Sequence, residues 1–137
     1  MNVRVIELPW PDKRLSPNAR QHRLAVASIR KAARHEAMWA CKAAKMYFPH
    51  LRDVGLHLRI TFHPPDRRRR DLDNMLASIK SQLDGIADVI GVDDSMWGLT
   101  LVRGDVFKGG FVIIEAITPP RSTPIQRHEK TENKVKT

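Results

Sequence analysis

Residues 65–74 read Pro-Asp-Arg-Arg-Arg-Arg-Asp-Leu-Asp-Asn, and they hold the residue types that phosphodiester chemistry needs. Four consecutive arginines, Arg67, Arg68, Arg69 and Arg70, repel one another and are favoured beside anions. Two carboxylates follow at once, Asp71 and Asp73, two positions apart. Such arginines hold a phosphate backbone. Carboxylate oxygens hold a hard cation such as Mg²⁺, and a cation so held polarises a phosphoryl group and acidifies a bound water. A plainer reading stands beside this one. Asp71 is placed as a helix N-cap and Asp73 in the first turn, where acids satisfy orphan N–H groups and complement the helix dipole. The arginines would then make surface ion pairs of about 0–1 kcal/mol each. An acid pair embedded in a basic run favours the metal-assisted reading.

Two carboxylates rarely hold Mg²⁺ against water, so further ligands are required. Asp93 and Asp94 are the candidates, with a turn or cap before Trp97 as their structural alternative. A helix from Leu72 to Asp84 is about 18 Å long. The stretch between Asp84 and Asp94, if extended, is long enough to return over that distance. Lys80 shares a helix face with Asp73, Ala77 and Asp84. It is a candidate for stabilising charge that develops on phosphorus, or else an ion-pair partner of Asp84. Six scattered histidines show no metal-ligand spacing, although His63 lies near the arginines. Cys41 reads as a small core residue. Trp10, between two prolines, is either a DNA wedge or loop packing. Without a G-x-G-x-x-G, Walker A or nucleophile-elbow sequence, a nucleotide cofactor or serine hydrolysis has no support.

The elements that must position these residues follow from periodicity. Residues 2–8 are rich in β-branched side chains and predict a strand that Pro9 and Pro11 end. A polar loop covers Trp10 to Gln21. From His22 to about Tyr47 there is no Gly or Pro and much Ala, which predicts a long helix. Leu24, Ile29, Ala33 and Ala40 form an imperfect apolar repeat, and Arg30, Lys31, Arg34, Lys42 and Lys45 give a basic exposed surface. Residues 54–62 alternate strictly and predict a half-buried strand, stopped by Pro64-Pro65. A second helix runs from Leu72 to Asp84 with Leu72, Leu76, Ile79 and Leu83 as its core face, stopping at Gly85. Residues 97–103 and 110–118 predict two more strands, joined as a hairpin through Lys108-Gly109-Gly110. The order β-α-β-α-β-β describes a single small α+β domain with helices packed on a small mixed sheet.

With 137 residues the chain fits one domain, residues 1–118, followed by a disordered basic tail, 119–137. The 24 Lys+Arg against 15 Asp+Glu give a net charge of +9, of which five Lys/Arg and two Glu in the tail contribute +3. The basic character therefore belongs to the domain, and it points to a polyanion. No apolar run approaches the roughly 18–20 residues of a membrane span, so no membrane partner is expected. The N-terminus lacks the apolar region of a signal peptide. One cysteine excludes an internal disulfide. Both observations favour the cytoplasm.

The run Pro65 to Asn74 resembles the signature of the RusA family of Holliday junction resolvases. So do Leu8-Pro9-Trp10-Pro11 after the first strand and Val92-Asp93-Asp94-Ser95 after the second helix, in the family's order over roughly residues 3–117. The resemblance implies a small homodimeric, Mg²⁺-dependent endonuclease, with Mn²⁺ as a substitute. It would bind four-way DNA junctions and nick two strands of like polarity. The family's metal ligands fall on Asp71, Asp73 and Asp94, with Asp93 as accessory, and its arginine before the first acid on Arg70. Its lysine one turn after the second acid falls on Ala77, leaving Lys80 to take that role. The alternatives are a non-catalytic junction- or duplex-binding protein, which the Ala77 departure favours, and a small phosphatase, for which four arginines are excessive.

Overall fold

The computed structural model describes residues 2–19 and 23–118. The expected helix start at His22 and the expected tail from Pro119 lie outside them. Along the chain run β1 (Asn2–Pro9), α1 (Arg23–Ala43), β2 (Leu56–His63), α2 (Leu72–Ser78), α3 (Lys80–Ile90), β3 (Trp97–Arg103) and β4 (Phe111–Thr118). The strands form one mixed sheet in the order β1-β4-β2-β3. β4 is antiparallel to β1 and to β2, and β2 is parallel to β3, with Leu56 opposite Trp97 and Phe62 opposite Arg103.

The expected hairpin between the last two strands does not form. β3 leaves the sheet edge beyond β2, and residues 104–110 carry the chain across the end of β2 so that β4 inserts between β2 and β1. Along that crossing, Gly104 N donates to Phe62 O at 2.8 Å and Phe107 N to Pro64 O at 2.9 Å. Gly109 and Gly110 still make a turn, with φ of +86° and +67°, but it serves this crossing.

Alternation along β2 puts Leu58, Ile60 and Phe62 on the buried face, where Val112, Ile114 and Ala116 of β4 and Ile6 and Leu8 of β1 join them. Ile79, Ile86 and Ile90 cover that layer. α1 packs along α3 through small residues, with Ala37 beside Gly85 and with Ala33 and Cys41 also buried on α1. Of the expected repeat on α1, Ala33 is buried, Ile29 and Ala40 are half-buried, and Leu24 is exposed. Arg30, Lys31, Arg34 and Lys42 of α1 are exposed as expected, and so is Lys45 just after it.

The second predicted helix is two helices. Ser78 Oγ donates to Asn74 O at 2.9 Å, a back-bond that bends helices. Ile79 follows with φ −106°, and α3 begins at Lys80. Gly85 does not stop α3. A Cβ there would lie 2.2 Å from Arg34 O and 3.1 Å from Ala37 Cβ, so the glycine is what lets α1 and α3 approach. The stop is Gly91, at φ +82°, in the left-handed region that glycine tolerates.

Candidate active site and nucleic-acid interface

The chain leaves β2 at His63 and passes Pro64-Pro65 into a tight arginine-bearing turn. Asp66 organises it. Its carboxylate accepts from Arg68 N at 2.9 Å and from Arg70 Nη1 at 2.9 Å, and lies 4.0 Å from Arg68 Nη2. The Arg70 guanidinium and the Arg68 N–H hold the Asp66 carboxyl below the usual carboxylate range. Arg70 also donates to the carbonyls of Asp66 at 3.2 Å and Arg68 at 3.1 Å, and its guanidinium sits 5.5 Å from the Trp10 ring centroid. From β3, Arg103 Nη1 donates to Arg70 O at 2.8 Å. Arg70 is therefore largely occupied in holding the turn, whereas Arg67, Arg68 and Arg69 are exposed. The signal for Asp66 was legible in principle, since Asp after Pro commonly bonds the backbone two residues on. The signal for Arg103 was not, because it depends on the parallel pairing of β3 with β2.

Asp71 is the N-cap residue of α2, yet its side chain makes no capping hydrogen bond. Its carbonyl accepts from Met75 N at 3.0 Å. Asp73 lies exposed in the first turn and accepts from Asn74 N at 3.0 Å. The capping explanation thus fails for Asp71. Asp71 lines a cleft of about 530 Å³ together with Trp10, Lys13, Asn18, Arg68, Arg69, Arg70 and Asn74. Trp10 packs edge-on to Phe62 at 6.3 Å between centroids and carries Arg70 on its ring, so it forms the cleft wall. On the far side of the same loop, Arg14 holds the Asp12 carboxyl at a pKa of about 2 by side-chain and backbone hydrogen bonds. His63 turns away from the arginines; its Nδ1 is 2.9 Å from Asp105 O, and its ring stacks on Phe111.

Asp93 and Asp94 are at the other end of the sheet. They precede Trp97, which pairs with the first residue of β2, whereas Asp71 and Asp73 follow its last. The eight residues of β2 separate the two ends by about 23 Å at 3.3 Å per residue. The expected extended return after Asp84 is absent because α3 continues to Ile90. Among the described residues, no three acidic, histidine or cysteine side chains gather as a metal site. Asp93 caps a short 3-10 turn, accepting from Ser95 N at 3.0 Å and from the Ser95 hydroxyl, which keeps its carboxyl below the usual range. Asp94 is exposed and lines a shallow depression with Lys80, Leu83, Asp84, Trp97 and Leu99. Lys80 pairs with Asp84 at 3.2 Å. The break at Ile79 separates it from Asp73, so the single helix face expected for Asp73, Ala77 and Lys80 is interrupted. One chain therefore places Asp71 and Asp73 beside the arginines, and Lys80 near Asp94.

No family model matches the chain. An uncharacterised protein of Xylella fastidiosa is 41% identical over 111 residues, covering 80% of this chain and 72% of its own length. The crossover junction endodeoxyribonuclease RusA of Escherichia coli is 33% identical over 116 residues, covering 80% of this chain and 90% of the relative. The RusA of Enterobacteria phage 82 matches with the same identity and coverage. The chain belongs to the RusA family. The two shares also bear on extent, because the matched region spans nearly the whole of both RusA relatives. Among the described residues, no helix is long and apolar enough to cross a membrane.

Proposed function

We propose that this RusA-family chain is a Mg²⁺-dependent, structure-selective endodeoxyribonuclease that resolves four-way DNA junctions as a homodimer. The observation that carries the reading is the arginine turn. Asp66 and Arg103 fix it in place, it leaves three guanidinium groups exposed, and it ends on a carboxylate that caps nothing. Arg67, Arg68 and Arg69 bind successive phosphates, and Arg70 holds their backbone in position. Asp71 and Asp73 offer oxygens of the kind a hard cation takes. One chain supplies only this pair at the arginine end. Two copies related by a two-fold axis, with Asp94 of one reaching Asp71 and Asp73 of the other, would complete a three-acid set twice over. Bound there, Mg²⁺ or Mn²⁺ would polarise the phosphoryl group and acidify a water. Two equivalent sites suit a junction, which is itself two-fold symmetric and must be nicked in two strands. Lys80, near Asp94, would supply positive charge to the same assembled site.

The test is cleavage of a labelled mobile four-way junction, with linear duplex of the same sequence as control. Paired symmetric nicks that require Mg²⁺ and disappear with Asp73→Asn are the expected result. The occupied state of Lys80 and the alanine at position 77 favour one second reading, a junction-binding protein without turnover. Tight junction binding with no nicks in either Mg²⁺ or Mn²⁺ would establish that reading and overturn the first.

A further inference from the structure

Two separate stretches of chain line the cleft beside Asp71. One is the arginine turn with the start of α2. The other is the loop after β1, which contributes Trp10, Lys13, Ser16 and Asn18. That loop carries three consecutive charged residues, Asp12, Lys13 and Arg14, and the fold sorts them. Asp12 precedes a 3-10 turn, Lys13–Leu15, and accepts from Arg14 N at 2.9 Å. The Arg14 guanidinium closes on the same carboxylate through Nε at 2.9 Å and Nη2 at 2.8 Å. The acid is thereby neutralised, and it lines a different hollow, beside Ile29 and Glu36 of α1. Lys13 is left to line the cleft, and its side chain makes no hydrogen bond or ion pair among the described residues.

An ammonium and several guanidinium groups around one cleft repel one another, and an anion among them removes that cost. Asp71 lines the same cleft, but Lys13 does not pair with it. The loop is also stiff. Leu15 N donates to Asp12 O at 2.9 Å, Ser16 N to Lys13 O at 3.2 Å and Ala19 N to Ser16 O at 3.0 Å. Lys13 therefore stands on a braced turn, and its ammonium is a point-charge ligand for phosphate that needs no fixed approach angle. The cleft, about 530 Å³, falls within the roughly 300–1,000 Å³ that single small ligands fill. It receives one backbone, a nucleotide or so of a single strand, with the rest of the DNA outside.

We propose that Lys13 binds a phosphate of the strand to be cut, so that two separate loops, and not the arginine turn alone, hold that strand beside Asp71. This rests on the reading of the chain as a junction-cleaving enzyme and adds to that site a residue that positions the strand.

The full chain is titrated in EDTA with a four-way junction in which one phosphate at a time near the branch point is replaced by an uncharged methylphosphonate. Lys13→Ala is expected to bind unmodified junction about eightfold more weakly at 0.1 M salt for each copy bound, the counterion release of one phosphate contact at a slope of about 0.9. The salt slope should fall by about 1 for each copy, the melting temperature should not change, and Lys13→Arg should restore the affinity. One methylphosphonate position is expected to weaken the wild type and leave Lys13→Ala unaffected. The position that couples in the same way to Arg69→Ala should lie on the same strand, at the same or a neighbouring phosphate. A Lys13→Ala protein that binds as the wild type does overturns the proposal. So does one that every methylphosphonate weakens as much as it weakens the wild type, because no phosphate then answers to Lys13. Coupling of Lys13 and Arg69 to different strands overturns it as well. Cleavage of unmodified junction by the wild type in Mg²⁺ tests the underlying reading separately. Failure there leaves the binding comparison intact, and failure of the coupling leaves cleavage intact.

Discussion

The carboxylate of Asp71 stands at a helix start, where acids ordinarily cap, and it caps nothing. Asp93, four residues before Trp97, does the opposite and is consumed by Ser95. Sequence spacing could not separate these two cases, because a D-x-D at a helix start and a D-D before a turn are each compatible with both roles. Lys80 shows the same limit. Its pairing with Asp84 was one of two readings, and the geometry holds it there at 3.2 Å on an exposed surface. An exposed i, i+4 pair contributes about 0.2–0.5 kcal/mol, too little to hold the ammonium against a developing negative charge. Lys80→Ala is therefore expected to leave the melting temperature within about a degree or two, and to slow single-turnover cleavage by about tenfold to a hundredfold with junction affinity unchanged. Ala77 is exposed, so a lysine fits there without repacking. Ala77→Lys in the Lys80→Ala background is expected to recover the rate. Cleavage indifferent to both substitutions would remove lysine from the chemistry.

At the scale of elements, alternation and composition located nearly every strand and helix, since periods of 2 and 3.6 are local properties. Two features were not local. A hairpin was expected between β3 and β4 because a Gly-Gly turn joins two strand-like runs, but β3 pairs with β2 in parallel, and the turn serves a crossing. Gly85 reads as a helix stop because glycine is common past a helix end; here it sits mid-helix, where its value is to the neighbouring helix. The α1–α3 approach is close enough that a Cβ at 85 would overlap the Arg34 carbonyl, and the Arg34 side chain then reaches Asp88 on α3 with hydrogen bonds of 2.7 and 2.8 Å. A methyl group at 85 must push the helices apart along this line, against backbone that cannot rotate away. Gly85→Ala is expected to destabilise the domain by about 1–3 kcal/mol, the range for overpacking a tight core, despite the gain in helix propensity of about 1 kcal/mol that the same change brings to an exposed position. Urea unfolding checks this, and a midpoint equal to or above wild type would show that the two helices have slack.

For the whole molecule, the charge of +9 favours a polyanionic partner. Asp71 and Asp73 lie at one end of β2 and Asp94 at the other, a separation that no local pattern encodes, because it depends on α3 running on to Ile90 before the chain turns. A substrate that engages the arginine turn would lie at that end of the sheet, over Arg67, Arg68 and Arg69. Each phosphate neutralised there releases condensed counterions, so the logarithm of affinity falls with the logarithm of salt by about 0.9 per contact on duplex DNA. Arg68 is partly tied to Asp66, but Arg67 and Arg69 are exposed and make no such contact with it. Replacing Arg67 and Arg69 together by alanine is expected to reduce the slope by about 2, and by the same amount on junction and on linear duplex, because backbone contacts carry no information about branching. Discrimination between the two substrates should survive in that variant even as overall affinity falls. A slope that changes on the junction alone would mean that these arginines read the branch itself, and an affinity for DNA that hardly depends on salt would point instead to a small phosphorylated substrate in the cleft beside Asp71.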